Sequence, residues 1–131
     1  MTVEINCSGR FQPNINDGGS RQHFATGATR EQQIGKGRYD LITPIGLVRL
    51  AKWYELGALK YADRNWEKGL PISNCMNSLL RHATKYLMGM NDEDHLAAIV
   101  WNAFAIMHFE ENMPELQDIP ARLVAVTKEE E

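Results

Sequence analysis

The chain has 131 residues, 44% of them apolar and 24% charged, which predicts one folded domain with a core and excludes a disordered protein. Its formal charge is −3, with 14 Lys and Arg against 17 Asp and Glu, so we expect neither a nucleic-acid polymer nor a membrane surface as partner. Two widely separated cysteines, Cys7 and Cys75, and the lack of any long apolar run argue against a zinc knuckle, a disulfide framework, a signal peptide or a membrane span.

Residues 1–42 are rich in glycine and in turn-forming runs such as the one from Pro13 to Gly19. We therefore expect an irregular N-terminal arm that contributes to a ligand site. Near its end, Gly35-Lys36-Gly37-Arg38 combines two cations with two flexible residues. Such a segment can cradle a phosphate, although it is neither a Walker A loop nor a dinucleotide-binding glycine motif.

A helical core is predicted over residues 43–113. Thr43 and Pro44 form a helix start, and a first helix over 44–61 follows from the apolar spacing. Its predicted buried stripe consists of Leu47, Ala51, Tyr54, Ala58 and Tyr61. Residues 63–71 carry Asn, Gly and Pro without a helical period, so they are predicted to be a loop.

A second helix is predicted from a cap at Ser73 to about Gly89, with a stripe formed by Met76, Leu80, Ala83 and Leu87. The acidic run 91–94 then caps a third helix that ends near Asn112. This helix is apolar on nearly every face, so we expect it at the centre of a bundle, packed by other helices or subunits. Residues 114–131 form a C-terminal segment with an acidic tail.

Several polar side chains fall on faces that otherwise look like core. His95 and Asn102 share a stripe with Ile106 and Phe109 on the third helix, and His82 borders the stripe of the second. A buried Asn without partners costs about 1–3 kcal/mol, so Asn102 must be hydrogen-bonded. One interpretation is a satisfied contact that sets helix register, and the other is a ligand site.

Charged residues suggest a site for phosphate and metal. Arg81 and Lys85 lie one helical turn apart, which indicates either a solvated face or a bound anion between them. Glu55 is either an ordinary exposed charge or, with Asp92, Glu93 and Asp94, part of an oxygen cage. Oxygen ligands of this kind suit Mg²⁺ or Mn²⁺.

The order of several sequence blocks resembles the phage dATP/dGTP diphosphohydrolase family, the MazZ-like enzymes. The blocks are residues 26–30, 35–42, 55–61 and 65–69, followed by Arg81-His82, His95-Leu96 and Trp101-Asn102. The resemblance implies an all-α, MazG-like helical bundle that assembles as a dimer or tetramer. It also implies cleavage of a deoxypurine triphosphate to the monophosphate and pyrophosphate, with dGTP favoured and dATP or GTP as alternatives. In phages that use 2-aminoadenine, this reaction supplies dGMP and depletes dGTP in the host cytoplasm.

The resemblance also implies roles for individual residues. The catalytic residues are Glu55, His82, Asp92 and His95, and the ligands for Mg²⁺ or Mn²⁺ are Glu55, Asp92, Glu93 and Asp94. The nucleotide contacts are Lys36, Arg38, Asp40, Lys60, Tyr61, Asn65, Trp66, Arg81, Lys85 and Asn102. The wider MazG-like pattern has two pairs of acidic residues, and the members of each pair are three positions apart. In this chain the residue three positions after Glu55 is Ala58, and the residue three positions after His95 is Ala98. The number of metals is therefore left open.

Two other interpretations remain at the level of sequence. A noncatalytic helical assembly module would use His95 and Asn102 for register and would bind no nucleotide. An HD-type dNTP phosphohydrolase would also be all-α and would use His with Asp, but the chain has only the reversed dipeptide Asp94-His95.

Overall fold

The computed structural model of the protein describes residues 3–5, 11–13 and 20–123. The chain divides into two compact units, Met1–Ile42 and Thr43–Glu131. In the described part of the first unit, two antiparallel hairpins pair β1 (Val3–Ile5) with β2 (Phe11–Pro13) and β3 (Gln22–His23) with β4 (Thr29–Arg30). The prediction of an arm without regular structure is therefore wrong for these short segments.

The β3–β4 hairpin shows why turn residues did not exclude strands. The amide of Phe24 donates to the carbonyl of Ala28 at 3.1 Å, and the amide of Gly27 donates to Phe24 at 2.9 Å. Gly27 has φ 88°, a left-handed conformation that glycine adopts without steric cost. The turn residues thus connect two short strands, and a 3₁₀ turn at Tyr39–Leu41 follows.

The described part of the second unit is all-α, as predicted. It contains α1 (Pro44–Tyr61), α2 (Ile72–Leu87) and α3 (His95–Asn112), with 3₁₀ turns at Asn65–Lys68 and Pro114–Leu116. Residues 120–123 are helical again. None of the helices described here is long and apolar enough to cross a membrane.

The first helix has the predicted bounds and the predicted cap. The Thr43 hydroxyl accepts a hydrogen bond from the amide of Gly46 at 3.3 Å, so one of the free amides at the helix start is satisfied. Its buried face differs from the prediction, because Leu50 is the buried residue and Leu47 and Tyr61 are exposed. The helix therefore packs through a face rotated from the predicted stripe.

The second helix begins one residue earlier than its predicted cap. Pro71 takes the N-cap position, and Ser73 instead donates its amide and hydroxyl to the Asp118 carboxylate at 2.8 and 2.5 Å. The prediction of Ser73 as cap is therefore wrong, because a segment 45 residues away supplies the acceptor. The helix ends as predicted, with Gly89 in the left-handed conformation at φ 77°.

The predicted α2 stripe is correct in part, because Met76 packs against the core and Ala83 is half-buried. Leu80 and Leu87 are 57% and 85% exposed, whereas Ile72, Cys75 and His82 are buried. The core lies where α2 packs against α3, and it consists of Ile72, Cys75, Ala105, Ile106 and Phe109. The side of α2 that faces α3 therefore decides which residues are buried.

The third helix is central on one side only. Ala98, Ala105 and Phe109 are fully buried, which confirms its place in the core. A second row of apolar side chains stays exposed and consists of Leu96, Val100, Phe104 and Met107. Within the described residues, the bundle thus covers the helix on part of its circumference.

Candidate active site

A cleft of about 1470 Å³ lies within the helical unit. Its walls come from α1, the segment 62–67, α2, the acidic run 92–94 and the middle of α3. Its cationic lining residues are Arg49, Lys52, Lys60, Arg64 and Arg81. Ligand pockets usually measure about 300–1,000 Å³, so this cleft has room for a nucleoside triphosphate.

Two buried histidines meet beside the cleft. His82 on α2 is 6% exposed, and His95, the first residue of α3, is 3% exposed. Their Nδ1 atoms lie 2.9 Å apart, and the Nε2 atom of His95 lies 2.8 Å from an Asp92 oxygen. The edge of the Trp53 ring packs against His82, with centroids 5.8 Å apart and planes at 86°. Each ring of the pair thus has a further contact, His95 with Asp92 and His82 with Trp53.

The Asp92 contact fixes the proton arrangement of this pair. A carboxylate is acceptor-only, so the Nε2–H of His95 donates to Asp92, and a neutral His95 then carries a lone pair on Nδ1. Burial lowers the pKa of His82, and the opposing charge of Glu93 does not reverse this shift. The hydrogen bond from His95 lowers the pKa of Asp92. Near neutral pH the His82 ring is therefore uncharged, and its Nδ1–H donates to the Nδ1 lone pair of His95 at 2.9 Å.

Glu93 completes a three-residue group that we call the His–Glu–His cluster: His82, Glu93 and His95. One ligand atom from each residue lies within 4.8 Å of the others. Glu93 is exposed, so its carboxylate can move onto an ion without disturbing the core. Two imidazoles and a carboxylate form a donor set that fits a divalent metal ion, and the Asp92–His95 contact is the usual support behind a histidine ligand.

An ion pair secures the start of α3 next to the cluster. The guanidinium of Arg49 on α1 donates two hydrogen bonds to Asp94, at 2.8 and 2.6 Å. Asp94 also accepts from the amide of Ala97 at 3.1 Å, which makes it the N-cap of α3. The hydrogen bonds from Arg49 lower the pKa of Asp94. Both oxygens of Asp94 are thus engaged, and α1 is tied to the segment that carries the cluster.

Another part of the cleft wall is aromatic. Trp66 contacts His108 edge to face, with ring centroids 4.8 Å apart, and it also packs near Tyr54 and Trp101. Buried Asn102 donates to the carbonyl of Ala98 at 2.8 Å. These rings and amides form a wall against which a planar base can pack.

The sequence model of the family described as dATP/dGTP diphosphohydrolase, N-terminal, matches residues 26–119, more than two thirds of the chain. The chain belongs to this family. Neither the curated proteins nor the solved structures give a match. The resemblance found in the sequence is thus confirmed, and the family description assigns the chain to hydrolases of deoxynucleoside triphosphates.

Most of the site residues implied by membership of the dATP/dGTP diphosphohydrolase family line the cleft. They are Lys60, Tyr61, Asn65, Trp66, Arg81, His82, Asp92, Glu93, Asp94 and Asn102. His95 lies beneath this wall, in contact with His82. The Asn102 side chain also lies 3.5 Å from the Ser78 hydroxyl on α2. It therefore makes the predicted contact between helices and also lines the cleft.

Other predicted residues of this diphosphohydrolase are not brought together. Among the described residues, exposed Glu55 lies outside both the cleft lining and the His–Glu–His cluster, and Lys85 also lies outside the lining. Three residues belong to the first unit: Lys36 pairs with Glu31 at 3.3 Å, and Arg38 pairs with Asp40 through two hydrogen bonds. Their roles in the nucleotide site stay predictions.

The sequence reasoning missed Arg49, Lys52, Trp53, Asn74 and Ser78, all of which line the cleft. Arg49 and Trp53 are four residues apart and therefore share one face of α1. The sequence signal for this face of α1 was a large aromatic residue one helical turn from an arginine. The partner of each lies on another helix, and helical spacing alone does not reveal that contact.

Proposed function

We propose that the protein converts a deoxypurine nucleoside triphosphate into the monophosphate and pyrophosphate in a reaction that depends on Mg²⁺ or Mn²⁺. dGTP is the favoured substrate, with dATP or GTP as alternatives. The observation that carries this proposal is the His–Glu–His cluster at the wall of a cleft that is also lined by lysine and arginine side chains, in a chain that belongs to the dATP/dGTP diphosphohydrolase family.

In the proposed reaction, a water oxygen forms a bond to the α-phosphorus while the bond from that phosphorus to the bridging oxygen breaks. The electron pair of the broken bond leaves with pyrophosphate. A divalent ion held by His82, Glu93 and His95 would supply charge neutralisation and a more acidic water. Asp92 accepts the water proton on the oxygen that is not bonded to His95. Arg81 holds the departing pyrophosphate, since it lines the same cleft.

The remaining residues bind and orient the nucleotide. Lys60 and Asn65 contact phosphate and sugar, and Tyr61 or Trp66 stacks on the base, supported by their places in the cleft wall. Asn102 hydrogen-bonds the purine edge. Glu55 and Lys85 on the helices, with Lys36, Arg38 and Asp40 of the first unit, remain proposed further contacts, with Glu55 and Asp94 as proposed additional metal ligands.

The proposed setting is 2-aminoadenine metabolism of a bacteriophage, in the cytoplasm of its bacterial host. There the reaction would supply dGMP and remove dGTP. We also propose that the chain assembles as a dimer or tetramer. The exposed apolar row Leu96, Val100, Phe104 and Met107 supports an assembly that covers it.

The test is a product analysis. The protein is incubated with each of the eight standard ribo- and deoxynucleoside triphosphates plus Mg²⁺ or Mn²⁺, and the products are separated by chromatography. We expect dGMP and pyrophosphate, with Glu93→Gln as the inactive control. Release of inorganic triphosphate with deoxyguanosine would instead support the HD-type reaction. Absence of turnover by folded protein with metal present would favour the assembly module.

A further inference from the structure

Gly57 is a glycine that the fold of α1 does not require. It lies inside the helix, where glycine is the least favourable residue after proline. Unlike Gly69 and Gly89, it does not have a positive φ. A Cβ atom at Gly57 would meet no heavy atom of the described residues within 4 Å beyond its own helical backbone, whereas one at Gly46 would come within 2.5 Å of a Thr43 methyl carbon. Neither backbone conformation nor packing within the described chain therefore explains Gly57.

The open space over Gly57 belongs to the cleft. Gly57 lines the cleft together with Arg49, Trp53 and Lys60, which follow one side of α1 at intervals of three or four residues. The Trp53 ring packs against His82 of the His–Glu–His cluster, with centroids 5.8 Å apart. Gly57 lies four residues further along the helix, a distance of about 6 Å. The one position without a side chain in this row thus lies beside the cluster.

The direction of α1 indicates which part of a ligand reaches this gap. In the proposed function, the α-phosphorus reacts at the cluster, and the sugar is the next group along the nucleotide. Tyr61, proposed to stack on the base, is the last residue of α1. A nucleotide that extends from the cluster towards Tyr61 therefore carries its sugar past Gly57, where the absence of a Cβ allows close approach to the helix backbone.

We propose that Gly57 is a steric determinant of nucleotide binding, because its missing side chain leaves room for the sugar of a bound nucleoside triphosphate against α1. The identity of the ligand rests on the proposed function. Glycine at this position lowers the stability of the helix and keeps the cleft open. A side chain at position 57 should therefore stabilise the free protein and weaken nucleotide binding, a combination that a merely structural role does not produce.

The test compares Gly57→Ala and Gly57→Leu with the wild type. The melting temperature of Gly57→Ala without nucleotide should rise by about 2–5 °C. Affinity is measured by calorimetric titration with Mg²⁺ and the α,β-methylene analogue of dGTP, which cannot be cleaved at that bond. It should fall about tenfold in Gly57→Ala and about 100-fold in Gly57→Leu, as expected for overpacking of a close contact. The KM for dGTP should rise in Gly57→Ala with kcat nearly unchanged.

Ala51 provides the matched controls, since it is exposed on the same helix and lies outside the cleft lining. Ala51→Gly should lower the melting temperature by an amount similar to the rise in Gly57→Ala, and Ala51→Leu adds bulk to α1 away from the cleft. Both should bind the analogue as the wild type does. Wild-type affinity in Gly57→Ala and Gly57→Leu would overturn the proposal. A lower melting temperature in Gly57→Ala with loss of assembly by size-exclusion chromatography would also overturn it, because a second copy would then occupy the gap.

Product analysis of dGTP hydrolysis separates this inference from the proposed function. If binding of the analogue depends on Gly57 but no pyrophosphate is released from dGTP, the inference stands and the proposed function fails. If dGMP and pyrophosphate are formed while Gly57→Leu binds the analogue as tightly as the wild type, the proposed function stands and the inference fails. Absence of binding to the wild type would overturn both.

Discussion

The two units of the chain each contain an arginine bonded to an aspartate through two of its three guanidinium nitrogens. In the first unit, Arg38 bonds Asp40 at 2.8 and 2.7 Å, and in the helical unit Arg49 bonds Asp94 at 2.8 and 2.6 Å. The geometry is nearly the same. The sequence separations differ, since one pair spans 2 positions and the other 45.

The difference in separation changes what each pair does. The Arg38 and Asp40 side chains are 62% and 65% exposed and tie a 3₁₀ turn to its own flank, so water screens the attraction. Arg49 and Asp94 are 49% and 30% exposed and join α1 to the N-terminus of α3. The second pair therefore helps to position the His–Glu–His cluster, because Glu93 and His95 are the chain neighbours of Asp94.

The largest effect is expected from Asp94→Ala, which removes the helix cap and the partner of Arg49 together. Loss of a cap costs about 1 kcal/mol and loss of a charge-assisted pair adds to it, so we expect about 2 kcal/mol of destabilisation. Asp94→Asn keeps a capping oxygen and should lose about half as much. Urea unfolding measures both free energies. Equal losses would show that the cap contributes nothing.

Arg49→Ala should have a smaller effect on stability but a clear effect on the cluster. Without Arg49, the segment that carries Glu93 and His95 loses its ion pair with α1, so Mn²⁺ affinity should fall about tenfold. Arg49→Lys should recover part of it, because lysine keeps the charge but not the two-point geometry. A titration of the three proteins measures this order. Equal affinity in all three would mean that Arg49 has no positioning role.

The same contrast explains how far the sequence predicted the structure. The bounds of α1, its Thr43 cap and the glycine end of α2 follow from local signals, and the structure confirms them. Family membership followed from motif order. Most of the residues predicted to form the site line one cleft, and their roles stay predictions. Local rules were sufficient because each of these features depends on residues within one turn or one motif.

Features that depend on distant segments were not predicted. Ser73 was assigned as a cap, but it bonds Asp118, and Leu80 and Leu87 of the predicted α2 stripe are exposed. Arg49 was missed because its partner lies 45 residues away. Glu55 was grouped with the acidic run although no local signal fixes which face of α1 is turned towards that run. Tertiary contacts decide all of these points.

The pH dependence of stability distinguishes the long-range pair further. The hydrogen bonds that Arg49 donates to Asp94 hold the pKa of this carboxyl group below its ordinary value of 3.8. A depressed pKa means that the unfolded chain binds the proton more readily, so the contribution is present above 3.8 and is lost as the pH falls through the folded value. Urea unfolding between pH 5 and pH 2 should therefore show a steeper loss of stability in the wild type than in Arg49→Ala. Parallel curves would contradict this assignment.

The smallest effect is expected from Arg38→Ala. Its pair with Asp40 is local and mostly exposed, and such pairs contribute about 0–1 kcal/mol. The free energy of unfolding of the helical unit should therefore stay within about 0.5 kcal/mol of the wild type, since surface substitutions of this kind rarely exceed that range. Urea unfolding followed by helix signal, with Arg49→Ala measured alongside, compares the effects of the two substitutions on the helical unit. A loss for Arg38→Ala as large as that for Arg49→Ala would contradict the local role given to the Arg38–Asp40 pair.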